Sequence, residues 1–126
     1  MQTQLDKEVE VFVNRYVECF TCLDLLVFFC KNPNTRETVS GLGKCLCRNK
    51  SDLCRALEFL VEKGVLSKER YVSSQTGLLK DKGNFIYTYN PSRDVEECVK
   101  RFVDCMNVRE KRLAILTALL KKGVTH

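Results

Sequence analysis

Apolar residues recur every three or four positions through most of this chain, and this helical period restricts the fold more than any other feature. Three clusters of turn-forming residues interrupt the pattern: Asn32-Pro33-Asn34, Lys63-Gly64 and Asn90-Pro91. Between the second and third clusters the period shortens to that of a β-strand. The 126 residues are enough to bury one core. We therefore predict a single domain, residues 1–126, that is mostly α with a small β-hairpin (α+β).

Four helical segments precede the strands. They are Leu5–Val17, Thr21–Lys31, a short helix that contains Val39, Leu42 and Leu46, and a helix over about residues 50–63. Thr35 is the predicted N-cap of the third helix and Asn49 that of the fourth, because their side-chain oxygens can accept a hydrogen bond from a free backbone N–H. Gly64 tolerates the left-handed backbone with which helices commonly end.

Two β-like segments follow the fourth helix. The first is an extended run from Val65 to about Ser73, and the second is Phe85–Tyr89. Between them, Asp81-Lys82-Gly83-Asn84 has the composition of a hairpin tip. The sequence therefore predicts a two-stranded hairpin whose tip, here called the wing, covers about residues 77–86.

The last segment has the pattern of one long helix, residues 92–122, with Ser92 as its N-cap. Its apolar residues alternate in spacing between four and three positions, with Arg109 as the exception. The apolar positions are Val95, Val99, Phe102, Met106, Leu113, Leu116 and Leu120. Such a seam is typical of coiled coils, so we predict that residues 1–19 and 92–122 form the dimer interface beside a core of residues 20–91. A helix that packs on its own domain is the alternative.

The segment between the third and fourth helices resembles a known DNA-binding motif. Its residues run LGKCLCRNKSDLCRAL at positions 42–57, similar to the helix-turn-helix of MarR-, ArsR- and TrmB-like regulators. The next residues, EFLVEKGVL at 58–66, resemble the end of that family's recognition helix and the entry to its wing. Cys47 departs from the pattern, since Gly is usual in this turn, and Cys54 stands where a small polar residue often faces DNA.

The resemblance implies a winged helix-turn-helix protein of archaeal type. A homodimeric transcriptional regulator of this kind binds double-stranded DNA sequence-specifically, with the recognition helix, about 50–63, in the major groove. The wing, about 77–86, would lie on the backbone or in the minor groove. The resemblance also leaves room for a small effector that the sequence does not identify.

Charge supports a polyanionic partner. Residues 1–30 hold two basic and five acidic side chains, a net charge of −3, so the rest of the chain must carry +8 to reach the total of +5. The candidate DNA-binding residues are Lys44, Arg48, Asn49, Lys50, Ser51 and Arg55, with Lys80 and Lys82 at the wing. Ordinary solvated charges are the alternative. Glu58 and Glu62 are acidic residues in the fourth helix. They favour a second hypothesis, in which the domain is a protein-interaction module without a DNA target.

Eight cysteines make the chain cysteine-rich. Cys19-Phe-Thr-Cys22 has the spacing of a redox or metal motif, but a second such pair is missing and the one histidine is the last residue. Cys47 and Cys54 are seven residues apart near the predicted DNA surface, where oxidation would alter groove contact. All four are candidate redox residues of a thiol-responsive regulator, with small space-filling side chains as the alternative. We predict neither a metal site nor a cofactor.

Other function classes find less support. The chain has no internal histidine for general acid–base work and no glycine-rich phosphate loop, so we do not expect an enzyme. The most apolar stretch, Cys19 to Cys30, contains Asp24 and is shorter than the ~20 residues that span a bilayer. The N-terminus lacks the pattern of a signal peptide. We therefore expect a cytoplasmic protein that does not enter a membrane.

Overall fold

Most of the helices and strands begin and end near the breaks in the sequence pattern. The structure, a computed structural model, describes residues 7–70 and 85–123. In chain order the elements are α1 (Lys7–Tyr16), α2 (Phe20–Lys31), β1 (Arg36–Glu37), α3 (Val39–Leu46), α4 (Lys50–Glu62), β2 (Leu66–Arg70), β3 (Phe85–Tyr89), α5 (Arg93–Met106) and α6 (Arg109–Lys121). The predicted mostly helical α+β class is confirmed. No helix within the two described ranges is both long and apolar enough to cross a membrane.

Three predicted helix ends are confirmed. The Asp52 backbone N–H donates to Asn49 Oδ1 at 2.8 Å, at the start of α4. The Val95 backbone N–H donates to Ser92 Oγ at 3.4 Å, at the start of α5. Gly64 follows α4 with a φ of +80°, the left-handed conformation that glycine adopts without a steric penalty. These signals are local, so they can be predicted from sequence.

The predicted cap of the third helix is wrong. Thr38, rather than Thr35, caps α3, since the Gly41 backbone N–H donates to Thr38 Oγ1 at 3.2 Å. The helix starts later because Arg36 and Glu37 form β1 and pair with β3. A strand of two residues has no periodicity, and the sequence does not predict it.

The sheet has the strand order β1-β3-β2, and both pairs of neighbours are antiparallel. β2 and β3 pair from Leu66 opposite Tyr89 to Arg70 opposite Phe85. Both predicted β segments are thus confirmed where the chain is described. The predicted tip at 81–84 lies outside the described residues.

Helix α2 occupies the middle of the core. Its side chains Leu25, Leu26 and Phe29 are completely buried, and the helix packs against both α4 and α5. The ring of Phe29 also stacks on that of Tyr89 in β3, with centroids 6.4 Å apart. Each large apolar side chain buried in this way stabilises the fold by roughly 1.5–3 kcal/mol. Helix α2 therefore contacts α4, α5 and the sheet at the same time.

The single C-terminal helix predicted over residues 92–122 is wrong. The chain leaves the helical conformation after α5, where Val108 is extended with φ −100° and ψ 117°, and α6 begins at the next residue. The Arg112 guanidinium donates to the Met106 carbonyl oxygen at 3.2 Å, which ties the two helices across the break. No Gly or Pro marks this position, so the sequence pattern runs through it uninterrupted.

The predicted dimer seam divides at the same break. On α5, Val99, Phe102 and Met106 are buried in the chain's own core, and the Phe102 ring stacks on Phe12 of α1 with centroids 4.8 Å apart. Packing on the chain's own domain, the alternative reading, therefore holds for these three positions. The remaining seam residues keep some exposure: Val95 and Leu116 are half-buried, and Leu113 and Leu120 are 51% and 64% exposed.

Cys47 is held in an unfavourable backbone conformation. It lies between α3 and α4 with φ 54° and ψ 43°, in the left-handed region where a Cβ atom costs about 1 kcal/mol. Cys47→Gly should therefore raise the free energy of unfolding by about 1 kcal/mol in urea denaturation. Cys47→Ala, which removes the thiol but keeps Cβ, is the matched control and should leave stability close to that of the natural chain. Equal stability of the two variants would show that the turn carries no strain.

Candidate nucleic-acid interface

Helices α3 and α4 meet through a tight turn at residues 47–49. The Arg48 backbone N–H donates to the Gly43 carbonyl oxygen at 3.3 Å, which closes the end of α3. A Cβ atom on Gly43 would lie 3.3 Å from the Arg48 carbonyl oxygen and 3.4 Å from a Leu53 methyl, so glycine permits this close approach. Leu42 and Leu53 are completely buried on either side of the turn. The two helices thus form one unit whose shared apolar side faces the core.

The burial pattern of α4 defines its exposed face. Its fully buried side chains are Leu53, Ala56, Leu57 and Leu60. Ser51 and Arg55 lie on the opposite, exposed side in the N-terminal half of the helix, and Glu58 and Glu62 continue that side in the C-terminal half. Cys54 is half-buried at the edge of this face. Three candidate DNA-binding residues of this helix, Lys50, Ser51 and Arg55, are exposed.

Arg48 forms an ion pair within the fold. Its guanidinium contacts Asp24 of α2, with Nη2 2.6 Å and Nε 2.8 Å from the same carboxylate oxygen. Both side chains are largely covered, with 26% of Arg48 and 37% of Asp24 exposed. The ion pair joins the α3–α4 turn to α2, so Arg48 is not a free cation for a phosphate. The sequence does not show this because the partners are 24 positions apart.

Asn49 is likewise used by the fold. Its Oδ1 caps α4, and its Nδ2 donates to the Asp52 carboxylate at 2.9 Å. Both ends of the amide are therefore engaged, and a base contact would require the cap to open. Four predicted residues keep exposed side chains that the fold does not use in this way: Lys44, Lys50, Ser51 and Arg55. Lys80 and Lys82 lie outside the described residues.

Two acidic groups, Glu58 and Glu62, lie on the exposed face of α4, and Glu58 is neutralised. Lys68 of β2 contacts Glu58 at 2.7 Å, and the Tyr87 hydroxyl of β3 donates to the other carboxylate oxygen at 2.9 Å. The hydrogen bond from Lys68 lowers the pKa of Glu58, while burial and the neighbouring carboxylate raise the pKa of Tyr87. This contact ties α4 to the sheet. It also leaves Glu62 as the acidic group on the exposed side of α4 with no ion pair in the described structure.

Arg55 also lines a basic cleft between α1, α4 and the end of α6. The cleft has a volume of about 520 Å³. Its walls carry four cations and one carboxylate: Arg15, Arg55, Lys63, Lys122 and Glu18. The Lys122 ammonium donates to Asn14 Oδ1 at 2.8 Å, which joins α1 to the end of α6. Sequence reasoning does not find this cleft because its residues come from distant parts of the chain.

The candidate redox cysteines occupy two different regions. Cys19 and Cys22 are in contact at the start of α2, with their sulfur atoms 3.5 Å apart. Cys47 is exposed in the α3–α4 turn, and Cys54 is half-buried on α4. None of the eight cysteines, all of which lie in the described ranges, is in a disulfide. Among the residues that the structure describes, no three Cys, His, Asp or Glu side chains are grouped so that they could hold a metal ion.

Comparison of this chain with protein-family models, with curated proteins and with solved structures finds no match. The similarity of residues 42–66 to winged-helix regulators therefore stays a prediction. A functional assignment has to come from the geometry and charge of the α3–α4 unit.

The Asp24–Arg48 ion pair should contribute to stability. Arg48→Met and Asp24→Asn should each lower the free energy of unfolding by about 1 kcal/mol, because each leaves a partly covered charge without its partner. The double variant should cost less than the two single changes added together, as measured in a urea double-mutant cycle. Lys50→Met, at an exposed position, is the control and should leave stability unchanged. Additive effects of the two single changes would mean that the contact contributes nothing.

Proposed function

We propose that this protein is a winged-helix transcriptional regulator that binds double-stranded DNA as a homodimer. The observation that carries the proposal is the α3–α4 unit, which presents exposed Lys50, Ser51 and Arg55 on the N-terminal half of α4. In helix-turn-helix proteins this half of the second helix contacts base edges in the major groove.

The order of the elements supports a winged helix. Helices α2, α3 and α4 precede the antiparallel pair β2–β3, and β1 lies between the first two of these helices. β1 adds a third strand on the far side of β3. In such an arrangement the connection between β2 and β3 is the wing. This connection includes Lys80 and Lys82, which we propose to contact the DNA backbone or minor groove.

The exposed residues of α3 and α4 are suited to different parts of a DNA duplex. The Arg55 guanidinium offers the fork geometry that pairs with the two acceptors of guanine, and the Ser51 hydroxyl can bond to a base or a phosphate. Lys50 at the start of α4 and Lys44 near the end of α3 supply charge for the phosphate backbone. Pairing of Glu58 with Lys68 reduces the repulsion that this face would otherwise exert on DNA.

Arg55 is the residue whose loss should be most informative. Arg55→Ala should weaken binding to a duplex selected from a random-sequence pool by about 5- to 150-fold, equivalent to about 1–3 kcal/mol. Fluorescence anisotropy at fixed salt measures the change. Arg101→Ala is the matched control, because Arg101 is equally basic but lies on α5 and pairs with Glu8 at 2.8 Å. Loss of affinity in the control but not in Arg55→Ala would contradict the assignment of α4.

The dimer surface is proposed to lie on α6. Leu113, Leu116 and Leu120 recur at spacings of three and four on one side of this helix, whereas Ile115 and Leu119 are completely buried on another. An amphipathic helix with a second apolar stripe can bury that stripe against another chain. α6 thereby retains three of the seven seam positions that the sequence predicts.

Charged substitutions on α6 test the dimer. Leu113→Glu combined with Leu120→Glu should convert the protein to a monomer in sedimentation velocity, since two carboxylates would be buried in the interface. The control is Val11→Glu, another exposed apolar residue, which is 51% exposed and lines a groove between α1 and α5. A monomer with Val11→Glu and a dimer with the α6 variant would place the interface on α1 instead.

A protein-interaction module without a DNA target is the second candidate function. Glu62 on α4 and Glu10 on α1 are exposed acidic groups that would repel a phosphate backbone. The two functions differ in their response to salt. Contacts with phosphates release counterions, so the affinity for DNA should fall steeply as salt rises. An affinity for duplexes that is weak and independent of salt would favour the protein-interaction module.

A further inference from the structure

Cys19 and Cys22 form a thiol pair where α2 begins. Cys19 is the N-cap residue, with an extended backbone at φ −154° and ψ 171°, and Cys22 lies in the first turn of the helix. Their sulfur atoms are 3.5 Å apart, within hydrogen-bonding distance. A disulfide requires about 2.05 Å between the sulfurs, so only a small movement separates this pair from a covalent bond.

The two thiols have different environments. Cys22 is completely buried, whereas Cys19 is half-buried and forms part of the wall of the basic cleft. The hydrogen bond with Cys22 lowers the pKa of Cys19 to about 6, and the same hydrogen bond together with burial raises the pKa of Cys22. At neutral pH Cys19 is therefore mainly a thiolate that a solute can reach, and Cys22 is a protected thiol beside it.

The cleft in front of Cys19 favours anions. The cationic side chains of Arg15, Lys63 and Lys122 line it together with Arg55, against the single carboxylate of Glu18. Its volume of about 520 Å³ falls within the range of small-molecule sites. A carboxylate-bearing solute of modest size could thus place a reactive group near Cys19 while its carboxylates meet these cations.

We propose that Cys19 and Cys22 are a dithiol–disulfide redox site whose substrates are small disulfides that carry carboxylates. This inference does not rest on DNA binding, because the two reacting thiols lie outside α3 and α4, although Arg55 of α4 lines the same cleft. Nor does it involve Cys47 and Cys54, the other candidate redox pair.

The exchange needs no reactant beyond the substrate disulfide. The Cys19 thiolate attacks one sulfur of the substrate, the substrate S–S bond breaks, and the first product leaves as a thiolate that takes a proton from water. Cys22 then releases its proton to water, and its sulfur attacks Cys19 Sγ. The mixed disulfide breaks and the second product thiol leaves. Two electrons pass from the cysteine pair to the substrate, which is reduced to two thiols as the pair is oxidised.

Glutathione disulfide is a suitable probe, because it is small and carries several carboxylates. Incubation of the reduced full chain with this probe should yield a Cys19–Cys22 disulfide, identified by peptide mass mapping. Cys22→Ala should stop at the mixed disulfide and carry one glutathionyl group on Cys19. Cys98→Ser, which removes an exposed cysteine on α5, is the control and should react as the natural chain does. First modification at another cysteine, or no trapped adduct in folded Cys22→Ala, would overturn the site.

The charge of the substrate tests the cleft. Cystamine, a cationic disulfide, should react at least tenfold more slowly than glutathione disulfide. Arg15→Gln combined with Lys122→Gln should remove most of this preference, measured as the ratio of the rates with glutathione disulfide and with uncharged hydroxyethyl disulfide. If cystamine reacts as fast as glutathione disulfide with the natural chain, the proposed substrate class is wrong.

The pH dependence of Cys19 alkylation provides a separate measure of the pair. The thiolate reacts, so the rate with iodoacetamide at Cys19 should be full at neutral pH and fall by half near pH 6 as the thiolate is protonated. Cys22→Ala removes the hydrogen bond and should move this midpoint upwards, towards the ordinary value of about 8.5. Circular dichroism should be used to check that the variant is folded. A midpoint near the ordinary value in the natural chain would contradict an activated Cys19.

Discussion

Burial of α2 is the constraint on which the rest of the structure depends. This helix packs against α4 and α5, and Leu25, Leu26 and Phe29 are inaccessible to solvent. The interior of a protein is close-packed, so a helix with such a surface permits few positions for its neighbours. Both the exposed face of α4 and the entrance to the basic cleft follow from this packing.

The same helix carries the polar contacts that organise the two sites. Asp24 in the middle of α2 holds Arg48 and thereby the turn between α3 and α4. Cys19 at its N-terminus lines the cleft between α1 and α4, and the buried Cys22 lies against it. Arg55 takes part in both regions, since it lies on the exposed face of α4 and also lines the cleft. A bound anion in the cleft would therefore compete with DNA for this guanidinium, which provides a physical route between the two proposed activities.

Local signals could be predicted from the sequence, and contacts between distant residues could not. Asn49, Ser92 and Gly64 act within one turn of their own helix, so their roles can be predicted from residue type and position. The break before α6 contains no Gly or Pro. The apolar residues on both sides of it, such as Val99 on α5 and Leu113 on α6, keep the spacing of a helix, so the sequence pattern does not distinguish two helices from one. A heptad-like pattern shows that a helix has an apolar face, but it does not show which surface covers that face.

The candidate site divides in the same way. Exposure of Ser51 and Arg55 follows from the helical period of Leu53, Leu57 and Leu60, so it could be predicted. The ion pair between Arg48 and Asp24 of α2 could not be predicted, because it depends on tertiary packing. The cleft depends on the same kind of packing, since its cations come from α1, α4 and the end of α6.

The most direct test of the central claim is an NMR titration of the isotope-labelled protein with a selected DNA duplex. The account predicts that the largest amide shifts fall between Lys44 and Arg55 and in the connection between β2 and β3. Shifts confined to the groove between α1 and α5, or no shifts at low salt, would contradict the assignment of α4 as the helix that contacts DNA.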